Sequence, residues 1–117
     1  MSVTHKTKRV LLASALTLSF AAVSFAAYGQ DVKKGEAVYT AQKCSLCHQI
    51  AGKGNKASPL DGVGAKLSAE DIRQWITHPT EAAAKAKSTK KPPMPAKYGK
   101  LPAADLDALV AYMASLK

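Results

Sequence analysis

Cysteine and histidine are both scarce in this chain, which has two of the first and three of the second. The cysteines fall in one stretch, Cys44-Ser45-Leu46-Cys47-His48, so a framework of several disulfides is excluded and a single bridge would close only a very small loop. A structural zinc site needs four ligands, and with only His5 and His78 left elsewhere a closed shell is hard to assemble. A thioredoxin-like redox pair needs a βαβ setting, and no strand-rich run precedes Cys44.

The spacing of this stretch, Cys-x-x-Cys-His, is typical of the site at which a c-type haem is attached. On one turn of helix, residues 44, 47 and 48 share a face, so two thiols and an imidazole can converge on one planar cofactor. Cys44 and Cys47 can then form thioethers with the haem vinyl groups, while His48 ligates the iron. The sequence therefore predicts one covalently bound haem c.

Alternation of polar and apolar residues, the pattern of a half-buried strand, does not run for four or more residues anywhere in the chain after the first thirty. The sequence predicts an all-α fold instead. Its main helices start at Asp31 as N-cap, at the capping box Ser68-Ala69-Glu70-Asp71, and at Pro102. The second of them ends at His78, and the Gly-rich residues 51–64 are predicted to be coil.

Acidic residues are also few, eight against 17 Lys and Arg, and none of them precedes residue 31. Lys6, Lys8 and Arg9 stand before an uncharged apolar run over residues 10–27, which is the pattern of a signal peptide. We assign residues 1–29 to this peptide, with cleavage after Ala26 or Gly29, and expect export to the periplasm. Because the run is long for a signal and marginal for a membrane span, an uncleaved anchor facing the periplasm is the alternative.

Further patterns accompany the attachment motif in a fixed order. Gly35 and Tyr39 lie in the first helix, and Leu109 and Tyr112 in the last. Between them come Pro59-Leu60-Asp61-Gly62, then Trp75, then Met94 inside the stiff stretch Lys91-Pro92-Pro93-Met94-Pro95. With this ordered set, the chain from about Asp31 to Lys117 resembles a small bacterial monohaem class I cytochrome c.

The resemblance implies the class I fold, in which residues 30–117 form one domain of helices wrapped around a single haem. It implies a helix crossing made by the glycine, tyrosines and leucine just named. It also implies that the Pro59 carbonyl accepts the Nδ1 proton of His48. By the same resemblance Met94 is the sixth iron ligand, and Trp75 reaches a haem propionate.

Electron transfer is the function that this ligand set favours, because His48 and Met94 together leave no open iron position for a substrate. We expect a periplasmic carrier, or the haem subunit of a respiratory dehydrogenase or oxidase chain, and not an enzyme in its own right. The alternative is a haem protein with a labile sixth site, peroxidase-like or gas-binding. Met113 is expected to fill the core, and His78 to lie at the surface, although a second imidazole is a possible rival ligand.

The charge of the chain bears on its partners. Removing the signal peptide lowers the formal charge of +9 by three, to +6. Lysines concentrate in the stretches that ring the exposed haem edge in this family, namely Lys43, Lys53, Lys56, Lys90, Lys91 and Lys97. We therefore expect an acidic redox partner, such as a dehydrogenase, an oxidase or another cytochrome. Nucleic acid is not expected, since there is no recognition motif and few aromatics are free to stack, and membrane binding is expected only if the signal segment is retained.

Export gives the first testable prediction. The mature chain in the periplasm should begin near Ala27 or Gln30, because those positions follow the predicted cleavage sites. The intact mass of protein from a periplasmic extract measures this directly. A mass that still includes residues 6–20 would contradict cleavage and support the anchor.

Overall fold

The computed structural model describes the backbone of residues 20–117 and the side chains of residues 28–117. Most of the predicted signal peptide, residues 1–19, lies outside this part. The α-helices are α1 (Phe20–Ala41), α2 (Val63–Lys66), α3 (Ala69–Thr77), α4 (Pro79–Lys85) and α5 (Ala103–Ser115). Short 3-10 helices cover Cys44–Leu46 and Ala96–Lys100, and a small hairpin pairs β1 (Gln49–Ile50) antiparallel with β2 (Lys53–Gly54). The predicted all-α class is confirmed, since each strand has only two residues.

Helices α1 and α5 cross at Gly35, and the crossing is close because that residue has no side chain. A Cβ at Gly35 would overlap the Ala108 carbonyl oxygen and would lie 2.6 Å from the Cβ of Tyr112. Just along the helix, the rings of Tyr39 and Tyr112 meet edge to face with their centroids 5.8 Å apart. Leu109 is buried in the same core, so the predicted helix crossing is confirmed.

The core is one cluster of apolar side chains from α1, α3 and α5. Its buried members are Val38, Tyr39, Ile72, Ile76, Leu106, Leu109, Val110 and Met113. The four that belong to α5 are the stripe expected from their spacing along an amphipathic helix. Met113 therefore has the core position that was predicted for it.

Exposed ion pairs add little to this packing. Lys34 on α1 pairs with Asp105 on α5 at 3.0 Å, and Arg73 on α3 pairs with Asp107 on α5 at 2.6 Å. Both pairs are partly open to solvent, and such pairs typically contribute about 0–1 kcal/mol each. Apolar burial, at about 0.8 kcal/mol for each CH₂ group, is the larger contribution to holding these helices together.

Helix α3 has the predicted capping box at its start. The backbone N–H of Asp71 donates to the Ser68 Oγ at 3.1 Å, and the backbone N–H of Ser68 donates to the Asp71 carboxylate at 3.4 Å. The Ser68 hydroxyl also donates to that carboxylate, which lowers the pKa of Asp71. The helix ends with His78 as its C-cap, as expected, and Pro79 then begins α4.

The predicted start of the first helix was wrong. Asp31 is not an N-cap but lies inside α1, which already begins at Phe20. Residues 20–30 are rich in alanine and contain no proline. The single Gly29 costs only about 1 kcal/mol in a helix, so the helix can begin before Asp31. The predicted cleavage sites, after Ala26 and Gly29, therefore also fall within α1. In residues 51–64, predicted as coil, the structure has β2 and the first two residues of α2.

Across the part of the chain that the structure describes, none of the helices combines the length and the apolarity needed to span a membrane.

The Gly35 crossing gives a stability prediction. Gly35→Ala should lower the free energy of unfolding by about 1–2 kcal/mol, because the cost of overpacking, roughly 1–3 kcal/mol, exceeds the gain of about 0.5–1 kcal/mol from replacing a helical glycine. Denaturant unfolding of the haem-loaded protein measures the difference. The matched control is the exposed neighbour Glu36→Ala, expected within about 0.5 kcal/mol of wild type. A Gly35→Ala protein as stable as wild type would show that the helices do not need this close approach.

Candidate haem-attachment site

The attachment motif forms a single helical turn directly after α1. Lys43 adopts a left-handed conformation, with φ of 55°, so the chain changes direction there after the end of α1. The N–H groups of Cys47 and His48 then both donate to the Cys44 carbonyl, at 3.1 and 3.0 Å. The three residues that were predicted to act together are thus held within one turn, as their spacing requires.

Both cysteines of this turn are free thiols, Cys44 half-buried and Cys47 exposed. Burial raises the pKa of the Cys44 thiol, and the nearby Lys97 ammonium acts in the opposite direction more weakly. Cys44 is therefore a protonated thiol at neutral pH. Among the described residues, no group of three or more His, Cys, Asp or Glu side chains lies close enough together to hold a metal ion.

The imidazole of His48 is half-buried and has a fixed orientation. Its Nδ1 lies 3.1 Å from the Ser58 carbonyl oxygen. Because a carbonyl only accepts, Nδ1 must carry the proton, and the lone pair of a neutral ring is then on Nε2. Burial lowers the pKa of His48 more than the hydrogen bond to Ser58 raises it, so the ring is neutral at pH 7 and can serve as a metal ligand.

The partner of His48 corrects a sequence prediction. Pro59 was expected to supply the carbonyl, but Ser58 supplies it. Gln49 forms a parallel bridge with Pro59, in which the Gln49 N–H donates to the Ser58 oxygen at 3.2 Å and the Leu60 N–H donates to the Gln49 oxygen at 2.8 Å. Successive carbonyls of an extended segment point in opposite directions, so this register turns the Ser58 oxygen towards His48.

Asn55 supports the attachment turn and was missed from the sequence. Its backbone N–H is shared between the carbonyls of Ser45 and His48, at 3.1 and 3.0 Å, and its side-chain amide donates to the Leu46 carbonyl at 3.1 Å. The carbonyls at the end of a helical turn need such donors. The one available signal was an asparagine directly after Gly54, since asparagine in loops commonly bonds to nearby backbone.

Tyr39 links the turn to the helix crossing. Its hydroxyl lies 3.5 Å from the His48 carbonyl oxygen, at the long limit of a hydrogen bond. Burial, with smaller effects from Cys44, Tyr112 and Asp61, raises the pKa of Tyr39 to about 12. The hydroxyl is thus protonated throughout the physiological range and can act as a donor beneath the turn.

The other predicted site residues fall in different environments. Met94 is half-buried in an irregular loop and packs against the same core cluster as Cys44. Trp75 is half-buried on α3. His78 is exposed, with Nδ1 2.8 Å from the Thr77 hydroxyl at the junction of α3 and α4, which favours the predicted surface role.

A sequence model of the family described as "Cytochrome c" matches residues 32–117, most of the chain. The chain belongs to the cytochrome c family. No curated protein and no solved structure is similar enough to count as a match. The match agrees with the fold, in which the predicted helix crossing, the attachment turn and the Pro-rich loop all lie within the matched residues.

Members of the cytochrome c family carry a covalently attached c-type haem, and the residues of this cytochrome fit that group. Cys44 and Cys47 are the chain's two cysteines, and both are free thiols on one turn. The adjacent His48 is held as the tautomer whose Nε2 can ligate iron. The chemistry of this donor set, two thiols and one neutral imidazole, is the set that haem c requires.

The lysines predicted to surround the haem edge of this cytochrome are all exposed, namely Lys43, Lys53, Lys56, Lys90, Lys91 and Lys97. Lys97 is near enough to Cys44 to affect the pKa of its thiol, and its ammonium also lies 5.1 Å from the centroid of the Tyr98 ring. The Lys90 ammonium donates to the Ala57 carbonyl at 2.7 Å. Positive charge therefore lies both on the loop that follows the attachment turn and on the loop that bears Met94.

Proposed function

We propose that this cytochrome c is a periplasmic electron carrier, or the haem subunit of a respiratory dehydrogenase or oxidase chain, with His48 and Met94 as its axial ligands. The observation that carries the proposal is the hydrogen bond from His48 Nδ1 to the Ser58 carbonyl, which leaves Nε2 as the ligating atom. Met94 supports it, because a stiff loop packs this thioether against the same apolar cluster as Cys44.

The haem, when bound, supplies a metal that gains and loses one electron. The residues of the chain set the conditions for that change. The Ser58 carbonyl fixes the ring of His48 and increases its basicity. The soft thioether of Met94 favours the ferrous state and so raises the reduction potential. With His48 and Met94 both bound to the iron, no position would be left for a substrate, and the protein would act by passing electrons.

Met94 as distal ligand is tested by Met94→Ala. This variant should bind cyanide or carbon monoxide at the freed position, and its reduction potential should fall because the soft ligand is gone. The ferric protein should also lose the weak near-infrared sulfur-to-iron band. Absorption spectra and redox titration measure these effects.

Two matched variants serve as controls for Met94→Ala. Met113→Leu changes a methionine that lies in the core, and His78→Asn changes an exposed imidazole; both should keep the wild-type ligand spectrum. A Met94→Ala protein with an unchanged spectrum would overturn the assignment. A wild-type ferric protein without the near-infrared band would favour the alternative with a labile sixth site.

The partner, in this proposal, is an acidic redox protein that meets the lysine-rich surface. All six lysines of that surface are exposed, and a patch of one sign can steer association with a partner of the opposite sign. Export to the periplasm is part of the proposal and is supported by the typical location of bacterial members of the family.

Electrostatic steering gives a further prediction. Lys53→Glu or Lys91→Glu should slow bimolecular electron transfer with the physiological partner by roughly two- to ten-fold at low salt, without changing the haem spectrum or potential. The wild-type rate should fall as salt rises, since charges more than about 10 Å apart are screened near 0.1 M. Lys117→Glu, at the end of the chain after α5, is the control and should have less effect. Rates that do not depend on ionic strength would contradict steering and indicate an apolar or permanent interface.

A further inference from the structure

A single side-chain hydrogen bond joins the loop of Met94 to a distant segment of the described chain. The Lys90 ammonium donates to the Ala57 carbonyl oxygen at 2.7 Å, across 33 positions of sequence. Within the part of the chain that the structure describes, this is the one hydrogen bond that joins residues 89–95 to another segment. The local bond from the Lys90 N–H to the Ser88 hydroxyl, at 3.4 Å, stays within the loop.

The Ala57 carbonyl, which accepts the hydrogen bond from Lys90, belongs to a segment held by further hydrogen bonds. The Ala57 N–H donates to the Asn55 side-chain oxygen at 2.9 Å, and Asn55 is in turn bonded to the carbonyls of the attachment turn. Ala57 also directly precedes Ser58, whose carbonyl holds His48. Lys90 is therefore anchored to the backbone that orients the proximal imidazole.

The sequence between Lys90 and Met94 can transmit this anchoring. Prolines at positions 92, 93 and 95 fix φ on both sides of the methionine, so the loop moves as a stiff unit. Its other end is held by packing, because a Cβ at Gly99 would lie only 3.1 Å from the Thr77 carbonyl oxygen. The loop is thus fixed at Gly99 by backbone contact and at Lys90 by one hydrogen bond.

We propose that Lys90 is a positioning residue for Met94, which it holds in place as a ligand through the bond to Ala57. The proposal rests on the assignment of Met94 as axial ligand. Without this bond the loop would be held only by its contact at Gly99 and by the packing of Met94 on the core, and the thioether would be less firmly placed to act as an iron ligand. A net hydrogen bond of ordinary strength corresponds to roughly a three- to ten-fold change in that equilibrium.

The test is the affinity of the ferric protein for imidazole, which competes with Met94 for the iron and is followed by its absorption spectrum. At about pH 8 the probe is neutral while lysine keeps its charge, so direct attraction of the probe is avoided. Lys90→Leu removes the donor and adds no ligand atom. Two variants are controls: Lys90→Arg keeps a charged donor, and Lys87→Leu removes an exposed charge three residues away. Met94→Ala removes the competing ligand altogether and gives the imidazole affinity expected when the thioether is absent.

Lys90→Leu should bind imidazole roughly three- to ten-fold more tightly than wild type, while Lys90→Arg and Lys87→Leu should stay within about two-fold of it. Equal shifts in Lys90→Leu and Lys87→Leu would overturn the proposal, because they would reflect charge alone. If Lys90→Leu binds imidazole only as tightly as wild type, the role of Lys90 is overturned. If Met94→Ala binds imidazole far more tightly in the same experiment, the assignment of Met94 as ligand still stands. If Met94→Ala itself binds like wild type, the axial assignment fails and the role of Lys90 fails with it.

Discussion

The close crossing at Gly35 sets how tightly the first and last helices, α1 and α5, pack against each other. Because Gly35 has no Cβ to hold the backbone of α5 away, the C-terminal end of α1 packs closely on the core. The attachment turn comes directly after that end in the chain. Tyr39, one turn after Gly35, contacts both α5 through Tyr112 and the turn through the His48 carbonyl. Helix packing thereby determines where Cys44 and its neighbours stand.

The loop of residues 55–58 makes most of the hydrogen bonds that hold the attachment turn and His48. The Ser58 carbonyl selects the tautomer of His48, and Asn55 satisfies the carbonyls that end the helical turn. Burial lowers the pKa of the imidazole, which keeps the ring neutral and suited to iron. The same loop receives Lys90, so the segments bearing both proposed axial ligands, His48 and Met94, are joined through it.

Much of this could be predicted from the sequence where the determinants are local. The capping box at Ser68 and the attachment turn each depend on residues within one turn of helix, and the Gly35 crossing followed from the family resemblance. The start of α1 at Asp31 was wrong, because an N-cap preference does not stop a helix whose preceding residues also favour helix. The carbonyl that accepts from His48 was assigned to Pro59 instead of Ser58 because the residue types of an extended segment do not determine its register. The Lys90 contact spans distant positions and had no sequence signal.

Covalent attachment of haem at Cys44 and Cys47 can be measured by peptide mapping. Trypsin cleaves after Lys43 and Lys53, so the protein should release a peptide of residues 44–53 whose mass includes one haem. That peptide should keep the haem absorption after denaturation and washing, since thioether bonds survive both. Recovery of the same peptide at its unmodified mass, with two free thiols and the haem lost to the wash, would show that haem is not covalently attached at this turn.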